Sequence, residues 1–265
     1  MTTLEGWTLP QTPSGRTATV PPPPWHYSGD VIAVDFEADP ARVAELVPRG
    51  FTARGDGSCT IFFCDWASAA ERDPRVKDDP AKGQYKEAYI VLHGNFDGRR
   101  AGRVPYIWVD SELSLLRGLI QGFPKKLGEV HMTRPVEIGR GGSRKAPGER
   151  FAAHVSSLGR RLATVSVTIR EEAAGAQPGG GGPLIHTRHW PSLENETPAI
   201  HELSLVSVRD VENGTMWRGD ATLEFGTSDF EEVDLLAPRS VGSGWVYATA
   251  FSVVGGKTLP IGGDR

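Results

Sequence analysis

The chain has 265 residues, of which 38% are hydrophobic and 23% are charged, and its formal net charge is -4. This composition is typical of a soluble globular protein, and the small negative charge gives no broad attraction to nucleic acid or to an anionic membrane. The amino-terminal sequence lacks the basic and apolar segments of a signal peptide, and no apolar run is long enough for a membrane helix. We therefore expect a cytoplasmic protein that binds neither nucleic acid nor membrane.

The first 29 residues are rich in proline, threonine and serine and include the run PPPPW. Such a composition favours an extended arm that docks on the protein body or on a neighbouring subunit. No linker-like segment interrupts the rest of the chain. The sequence thus predicts an arm over residues 1–29 and a single domain over residues 30–265.

Two helices are predicted from their capping residues. In ADPARVAELVP, Asp39 is the N-cap and Pro40 occupies the first helical position. In SELSLLRGLIQG, Ser111 is the N-cap and Gly122 ends the helix. The segment ERDPRVKDDPAKGQ between them mixes charges with two prolines, so we expect a solvated loop there.

The remaining segments are runs of β-branched and aromatic residues separated by turns, which is typical of strands. These runs are DVIAVDF, CTIFFCDW, EAYIVLHGNF, YIWVDSE, EVHMTRPVEI, RFAAHVSSL, RLATVSVTIR, LIHTRHW, IHELSLVSVRDV, MWRGDATLEF and GWVYATAFSVV. Because most are joined by short turns without helical crossovers, they predict an α+β fold that is predominantly antiparallel β and forms a barrel or sandwich.

Several residues that could suggest metal or nucleotide chemistry lack the required pattern. Cys59 and Cys64 have an odd separation within one strand, so their side chains point to opposite faces. The same argument separates His186 from His189. The run GGKT lacks the first glycine of a phosphate-binding loop. We predict no metal site and no nucleotide cofactor.

The segment QGFPKKLGE at residues 121–129 is unusual because apolar Phe123 and Leu127 flank the pair Lys125 and Lys126. By spacing alone, a solvated corner is the competing interpretation. A lysine that forms an imine must be neutral, which near pH 7 requires a pKa about 4 units below the ordinary value, or roughly 5 kcal/mol. Apolar burial and a neighbouring cation are the two ways of lowering the pKa of the lysine by this amount.

The segment GFPKKLG, preceded by a helix and by GQYKEAYIVL, resembles the signature of the acetoacetate decarboxylase family. The segments FEADPARVAELVP and TPAIHELSLVSVRDVENGTMWRGDATLEF are also similar, so the resemblance covers most of the chain after Pro21. It implies an antiparallel β-rich fold around an apolar cavity, with an imine formed by Lys125. It further implies that Lys126 is a cation beside that amine and that Glu87 handles protons or positions the imine.

The sequence departs from the decarboxylase pattern at two positions. Gly29 stands where the family carries an arginine, and Cys64 stands where it carries a second glutamate. These departures favour the aldolase-dehydratases of the superfamily. In such a site Gln121 and Phe123 would contact substrate, and Tyr85 would hold or protonate a leaving hydroxyl. The bland alternatives are a helix-end amide for Gln121 and a core side chain for Tyr85.

We therefore predict a Schiff-base-forming lyase that acts on a small oxo acid. The favoured reaction is aldol condensation and dehydration of a pyruvate-like 2-oxo acid with an aldehyde, without metal, flavin or nucleotide. Decarboxylation of acetoacetate and non-catalytic binding of a small ligand are the alternatives. We also expect a homo-oligomer that serves secondary metabolism.

Overall fold

The computed structural model describes residues 3–175, 177–179 and 181–261. Strands dominate it. They are β1 (Trp25–Glu37), β2 (Phe51–Ala53), β3 (Ser58–Ala70), β4 (Gln84–Phe96), β5 (Arg99–Val109), β6 (Lys125–Leu127), β7 (Glu129–Met132), β8 (Arg150–Ser157), β9 (Arg160–Glu172), β10 (Leu184–Trp190), β11 (Ile200–Asn213), β12 (Trp217–Phe225) and β13 (Ser240–Pro260). The α-helices are α1 (Pro40–Glu45), α2 (Arg75–Asp78), α3 (Pro80–Gly83) and α4 (Glu112–Gln121), and a 3-10 turn spans Val233–Leu236.

The strands form one hydrogen-bonded sheet in the order β1-β3-β4-β5-β10-β11-β13-β12-β9-β8-β7. Because β1 also pairs with β13, the first part of this sheet closes into a barrel. Strands β12, β9, β8 and β7 continue from β13 as a second layer. The pairings among the described strands are antiparallel except β5 with β10 and β5 with β6. The predicted fold class is confirmed.

Alternation along the barrel strands divides the apolar side chains between two cores. One core lies between the barrel and the outer strands and contains Phe63 of β3 and Phe151 of β8. The other core lies inside the barrel and contains Trp66 of β3. Cys59 belongs to the outer core and Cys64 to the inner one, so the prediction that they face apart is confirmed.

The capping signals predicted both longer helices correctly. Asp39 accepts a hydrogen bond from the backbone of Ala41 at the start of α1, and Ser111 accepts one at the start of α4. The predicted solvated loop is wrong in part, because it contains the one-turn helices α2 and α3. Asp79 caps α3 and Pro80 occupies its first position, which is a helix-start signal. The charged composition of the segment nevertheless favoured a loop.

Two strand boundaries also differ from the prediction. Strand β1 begins at Trp25 rather than at Asp30, inside the proline-rich segment. Strand β7 ends at Met132, before Pro135, which cannot donate a hydrogen bond to a sheet. The described part of the arm packs on the chain's own body, where Nη1 of Arg75 donates to the carbonyl of Arg16 at 3.3 Å.

Candidate active site

The turn after α4 carries Lys125 into the barrel. Gly122 has φ 90°, the left-handed conformation that ends many helices, and the backbone of Phe123 donates to the carbonyl of Gly118. Strand β6 then pairs in parallel with β5, with Lys125 beside Ile107 of the inner core. The helix end and the short strand therefore direct the lysine side chain to the inner face.

The Lys125 amine makes two short polar contacts. Its Nζ lies 2.9 Å from Oε2 of Glu87 and 2.8 Å from Oγ of Ser114. The other carboxylate oxygen of Glu87 accepts a hydrogen bond from Nε1 of Trp66 at 2.9 Å. The Lys125 and Glu87 side chains are only 8% and 10% exposed. The pair can therefore exchange a proton directly, away from bulk water.

The lysine stem is confined by the helix and by aromatic rings. A Cβ atom on Gly118 would lie 2.6 Å from both Cγ and Cε of Lys125 and closer still to Cδ. The rings of Tyr85 and Phe123 have their centroids 5.8 Å and 5.7 Å from Nζ. Gly118 thus provides the space through which the lysine reaches Glu87.

The amine opens into a cavity of about 790 Å³ inside the barrel. Its walls are mainly aromatic and aliphatic, and they include Phe62, Trp66, Tyr89, Val206 and Phe251. Of the predicted site residues, Lys125, Glu87, Tyr85, Gln121 and Phe123 all line this cavity, whereas Lys126 does not. The structure therefore brings five of the six together.

Three tyrosine hydroxyls of the cavity stay protonated. Burial raises the pKa of Tyr85 and of Tyr89 well above the ordinary value, and it raises the pKa of Tyr247 as well. Because all three keep their protons near neutral pH, they can donate hydrogen bonds to a substrate oxygen. None of them adds a charge to the cavity.

Two further polar groups lie near the amine, Gln121 at the end of α4 and His186 of β10. The Gln121 amide donates to the carbonyl of Arg117 at 2.9 Å, which is the helix-end contact of the bland alternative, although the residue also faces the cavity. Next to it, the His186 ring packs on Phe123 with centroids 3.6 Å apart. Burial, reinforced by nearby cations, holds the pKa of His186 well below its usual range.

Lys126 points away from the amine. Its Nζ lies 3.0 Å from Oε2 of Glu231, and it is 56% exposed, whereas Glu231 is 3% exposed. Glu231 also accepts a hydrogen bond from the indole of Trp108, a member of the outer core. The expectation that Lys126 lies beside the Lys125 amine does not agree with this geometry, because adjacent residues of a strand point to opposite faces.

A different buried cation lies on α4. Arg117 is 1% exposed, and its Nη1 donates to Oγ of Ser68 at 3.2 Å and to the Tyr27 hydroxyl at 3.5 Å. Its guanidinium also lies 5.0 Å from the centroid of the Trp25 ring. Within the described residues its Nε and Nη2 have no hydrogen-bond partner. Arg117 thus adds positive charge behind the wall that carries Tyr27.

The structure explains the first of the two departures noted in the sequence and shows the surroundings of the second. Gly29 pairs with Trp66 across β1 and β3, and a Cβ atom at Gly29 would lie 2.6 Å from Cε3 of that indole and closer still to the Asp65 carbonyl. An arginine therefore has no room there. Cys64 is paired with Glu87 in the sheet register, and burial raises its thiol pKa well above the ordinary value.

Sequence reasoning missed three residues that contact the site. These are Trp66 of β3 and Ser114 and Gly118 of α4, and none of them was among the predicted site residues. The available signal was faint: Ser114 and Gly118 lie on the same side of the helix, four residues apart, and both are small. The role of this side becomes visible only in the packing of α4 against β6, which brings Ser114 and Gly118 to the side chain of Lys125.

Within the described residues, no group of three or more His, Cys, Asp or Glu side chains is arranged to hold a metal ion. The described helices are also too short or too polar to cross a membrane.

Comparison with known proteins agrees with this architecture. The family model described as acetoacetate decarboxylase matches residues 8–260. No curated protein matches the sequence at a significant level. Among solved structures, the acetoacetate decarboxylase of Legionella pneumophila is 16% identical, with 98% of this chain and 97% of that chain covered and a TM-score of 0.78. This last likeness concerns the fold alone.

Two other solved structures are closer in sequence. The enduracididine biosynthesis enzyme MppR, complexed with the condensation product of pyruvate and imidazole 4-carboxaldehyde, is 35% identical, covers 99% of each chain and has a TM-score of 0.93. An acetoacetate decarboxylase-like enzyme from Sphingomonas wittichii RW1 is 28% identical, covers 96% of this chain and 100% of that chain, and has a TM-score of 0.89. MppR has also been solved with pyruvate.

Proposed function

Because this chain belongs to the acetoacetate decarboxylase family, we propose that it is a Schiff-base-forming lyase whose nucleophile is the Lys125 amine. The observation that carries the proposal is the 2.9 Å contact between Lys125 Nζ and Glu87 Oε2 at the wall of a largely apolar cavity. The carboxylate takes a proton from the ammonium group, which leaves a neutral amine ready to attack a carbonyl.

The favoured reaction is aldol condensation and dehydration of a pyruvate-like 2-oxo acid with an aldehyde. The Lys125 nitrogen adds to the keto carbon, and loss of water gives a protonated imine. Loss of a proton from the adjacent methyl group gives an enamine, and Glu87 is positioned to move that proton. The complexes of MppR with pyruvate and with the condensation product support this choice.

The remaining steps release an unsaturated oxo acid. The enamine carbon attacks the aldehyde carbon, and the aldehyde oxygen takes up the proton that Glu87 removed from the methyl group. Glu87 then removes a second proton from the former methyl carbon, and the hydroxyl leaves as water with a proton from a donor in the site, which forms the new double bond. We assign the donor role to Tyr85, whose buried hydroxyl faces the cavity in its protonated form. Water then hydrolyses the imine and returns the free lysine. Gln121 and Phe123, which line the same cavity, complete the oxo-acid subsite.

The absence of room for a side chain at Gly29 favours condensation over decarboxylation of acetoacetate. An arginine there would have provided a bidentate partner for a carboxylate, and Trp66 occupies the space instead. Release of CO2 from acetoacetate, compared with absorbance of an unsaturated product from pyruvate plus an aldehyde, distinguishes the two reactions.

Borohydride trapping tests the nucleophile. The protein is incubated with pyruvate, reduced and weighed, and the modified peptide is mapped. We expect a stable adduct on Lys125 in the wild-type chain and in Lys126→Ala, and none in Lys125→Ala. Lys126→Ala is a matched control because it removes the neighbouring amine, which points to the opposite face. Absence of an adduct with any oxo acid would instead support a non-catalytic binding domain.

Three wider expectations remain predictions. We expect a cytoplasmic homo-oligomer, and light scattering of the purified chain measures its mass. A role in secondary metabolism is supported by the likeness to MppR, a biosynthesis enzyme. Genes next to the coding sequence would test this role.

A further inference from the structure

The cavity is much larger than a three-carbon oxo acid. Its volume of about 790 Å³ lies in the range of roughly 300–1,000 Å³ found for pockets that hold drug-sized ligands. The amine lies at its buried end, whereas Val208 and Val211 of β11 are exposed and mark its rim. An oxo acid bound to Lys125 therefore leaves most of the space between the amine and the rim for a second molecule.

The amine and the carboxyl group in the cavity wall already contact each other. Among the described residues that line the cavity, Glu87 and Lys125 are the only ones with a carboxyl, amine or guanidinium group, and they contact each other. Burial keeps the hydroxyls of Tyr89 and Tyr247 protonated by raising their pKa. The carboxylate of the oxo acid lies next to the protonated imine nitrogen, whereas a charged group on the second molecule would lose its hydration here without gaining a counter-ion, which is unfavourable.

The walls of the free space suit a flat, apolar molecule. The rings of Phe62 and Tyr89 stack with centroids 4.9 Å apart and planes 12° apart. Elsewhere in the cavity wall, the Phe251 ring stacks on Tyr27 at 5.0 Å and meets the edge of Trp66 at 5.5 Å. Such faces pack well against an aromatic or conjugated group.

From these observations we infer that the second substrate is an uncharged, hydrophobic aldehyde with an aromatic or conjugated group. The inference rests on the proposed function and concerns its acceptor subsite. The carbon–carbon bond forms between the enamine carbon and the aldehyde carbon, and the aldehyde oxygen leaves as water. Aldehydes that carry a carboxylate or a phosphate are excluded as efficient acceptors.

Two nearly isosteric aldehydes test the role of charge. We compare 4-nitrobenzaldehyde with 4-formylbenzoate as acceptors for pyruvate, using the wild-type protein and the absorbance of the unsaturated product. The ratio of their rates is divided by the ratio obtained with a simple free amine as catalyst, which removes the difference in intrinsic reactivity. We expect kcat/KM for the neutral aldehyde to exceed that for the anion by about 100-fold.

A corrected ratio within about threefold of unity, or a preference for the anion, would overturn the inference. Trapping with pyruvate alone separates this failure from failure of the proposed function. If borohydride leaves Lys125 unmodified, the proposed function fails. If the adduct forms and the anionic aldehyde reacts as well as the neutral one, only the acceptor class is wrong.

A pair of variants tests the aromatic wall. Phe251→Leu removes a stacking face of the cavity, whereas Phe225→Leu removes a comparable ring that packs on Phe36 in the outer core. We expect Phe251→Leu to lower kcat/KM for 4-nitrobenzaldehyde by about tenfold. Phe225→Leu, which lies outside the cavity, should change neither this kcat/KM nor the rate of pyruvate trapping. Equal effects of the two variants on the aldehyde would contradict the assignment.

Discussion

Replacing Gly118 by alanine should separate activity from stability. The added Cβ would lie 2.6 Å from Cγ and Cε of Lys125, whereas carbons in contact normally lie about 3.5–4.0 Å apart. The lysine stem must therefore shift by about 1 Å. The lysine side chain is flexible, so it can move away from the new methyl group while the helix backbone stays in place. A displacement of about 1 Å from the productive geometry can cost about 100-fold in rate.

The same substitution should not weaken folding. Alanine is favoured over glycine inside a helix by roughly 0.8–1.0 kcal/mol, which offsets the cost of moving the lysine stem. We therefore expect the unfolding free energy of Gly118→Ala to lie within about 1 kcal/mol of that of the wild type. Pyruvate trapping at Lys125 should slow by about 100-fold. Denaturant unfolding measures the first quantity, and the rate of adduct formation after borohydride quenching measures the second.

Gly141→Ala serves as the control, because a Cβ atom there meets no other atom within 4 Å. It should trap pyruvate at the wild-type rate. The reasoning is refuted if Gly118→Ala traps pyruvate within threefold of the wild type. It is also refuted if the variant loses several kcal/mol of stability, since the helix rather than the lysine would then have moved.

Three further substitutions test the surroundings of the amine. Trp66→Phe removes the donor to Glu87 and should slow trapping by about tenfold, since hydrogen bonds to charged groups contribute about 1.5–3 kcal/mol; an unchanged rate would contradict this role. Glu231→Gln weakens the pair with Lys126 and should cost about 1 kcal/mol of unfolding free energy without affecting trapping, so a large loss of trapping would restore a catalytic role for Lys126. Burial lowers the pKa of His186, so below about pH 6.5 only the unfolded state binds a proton at this residue. The unfolding free energy therefore decreases as the pH is lowered, by up to about 1.4 kcal/mol per pH unit. His186→Leu should flatten the difference in unfolding free energy between pH 6.5 and 5.5, and an identical slope in both proteins would exclude His186 as its source.

Local signals in the sequence sufficed for several elements. The N-cap of α1 at Asp39 and both ends of α4, Ser111 and Gly122, follow from contacts between residues a few positions apart. The opposite faces of Cys59 and Cys64 follow from the two-residue period of a strand. In each case the physical cause acts within one turn or one strand, so the order of residues is enough.

The contacts of the amine depend on parts of the chain that lie far apart. Lys125 meets Glu87 across 38 positions, and Glu87 meets Trp66 across 21. No local preference distinguishes this indole from any other buried tryptophan. Two long-range features decide which side chains meet. The pairing of β1 with β13 closes the barrel, and α4 packs against β6.

Local sequence patterns were sufficient for most of the strands, for the N-caps of α1 and α4 and for the likeness that singled out Lys125. The tertiary structure alone determined that Gly118 leaves space for the lysine stem, that Ser114 and Trp66 complete the polar contacts, and that Lys126 faces Glu231. The reason is physical: capping and alternation are short-range effects of the backbone. Burial, cavity shape and the partner of a charge are set only when distant segments pack together.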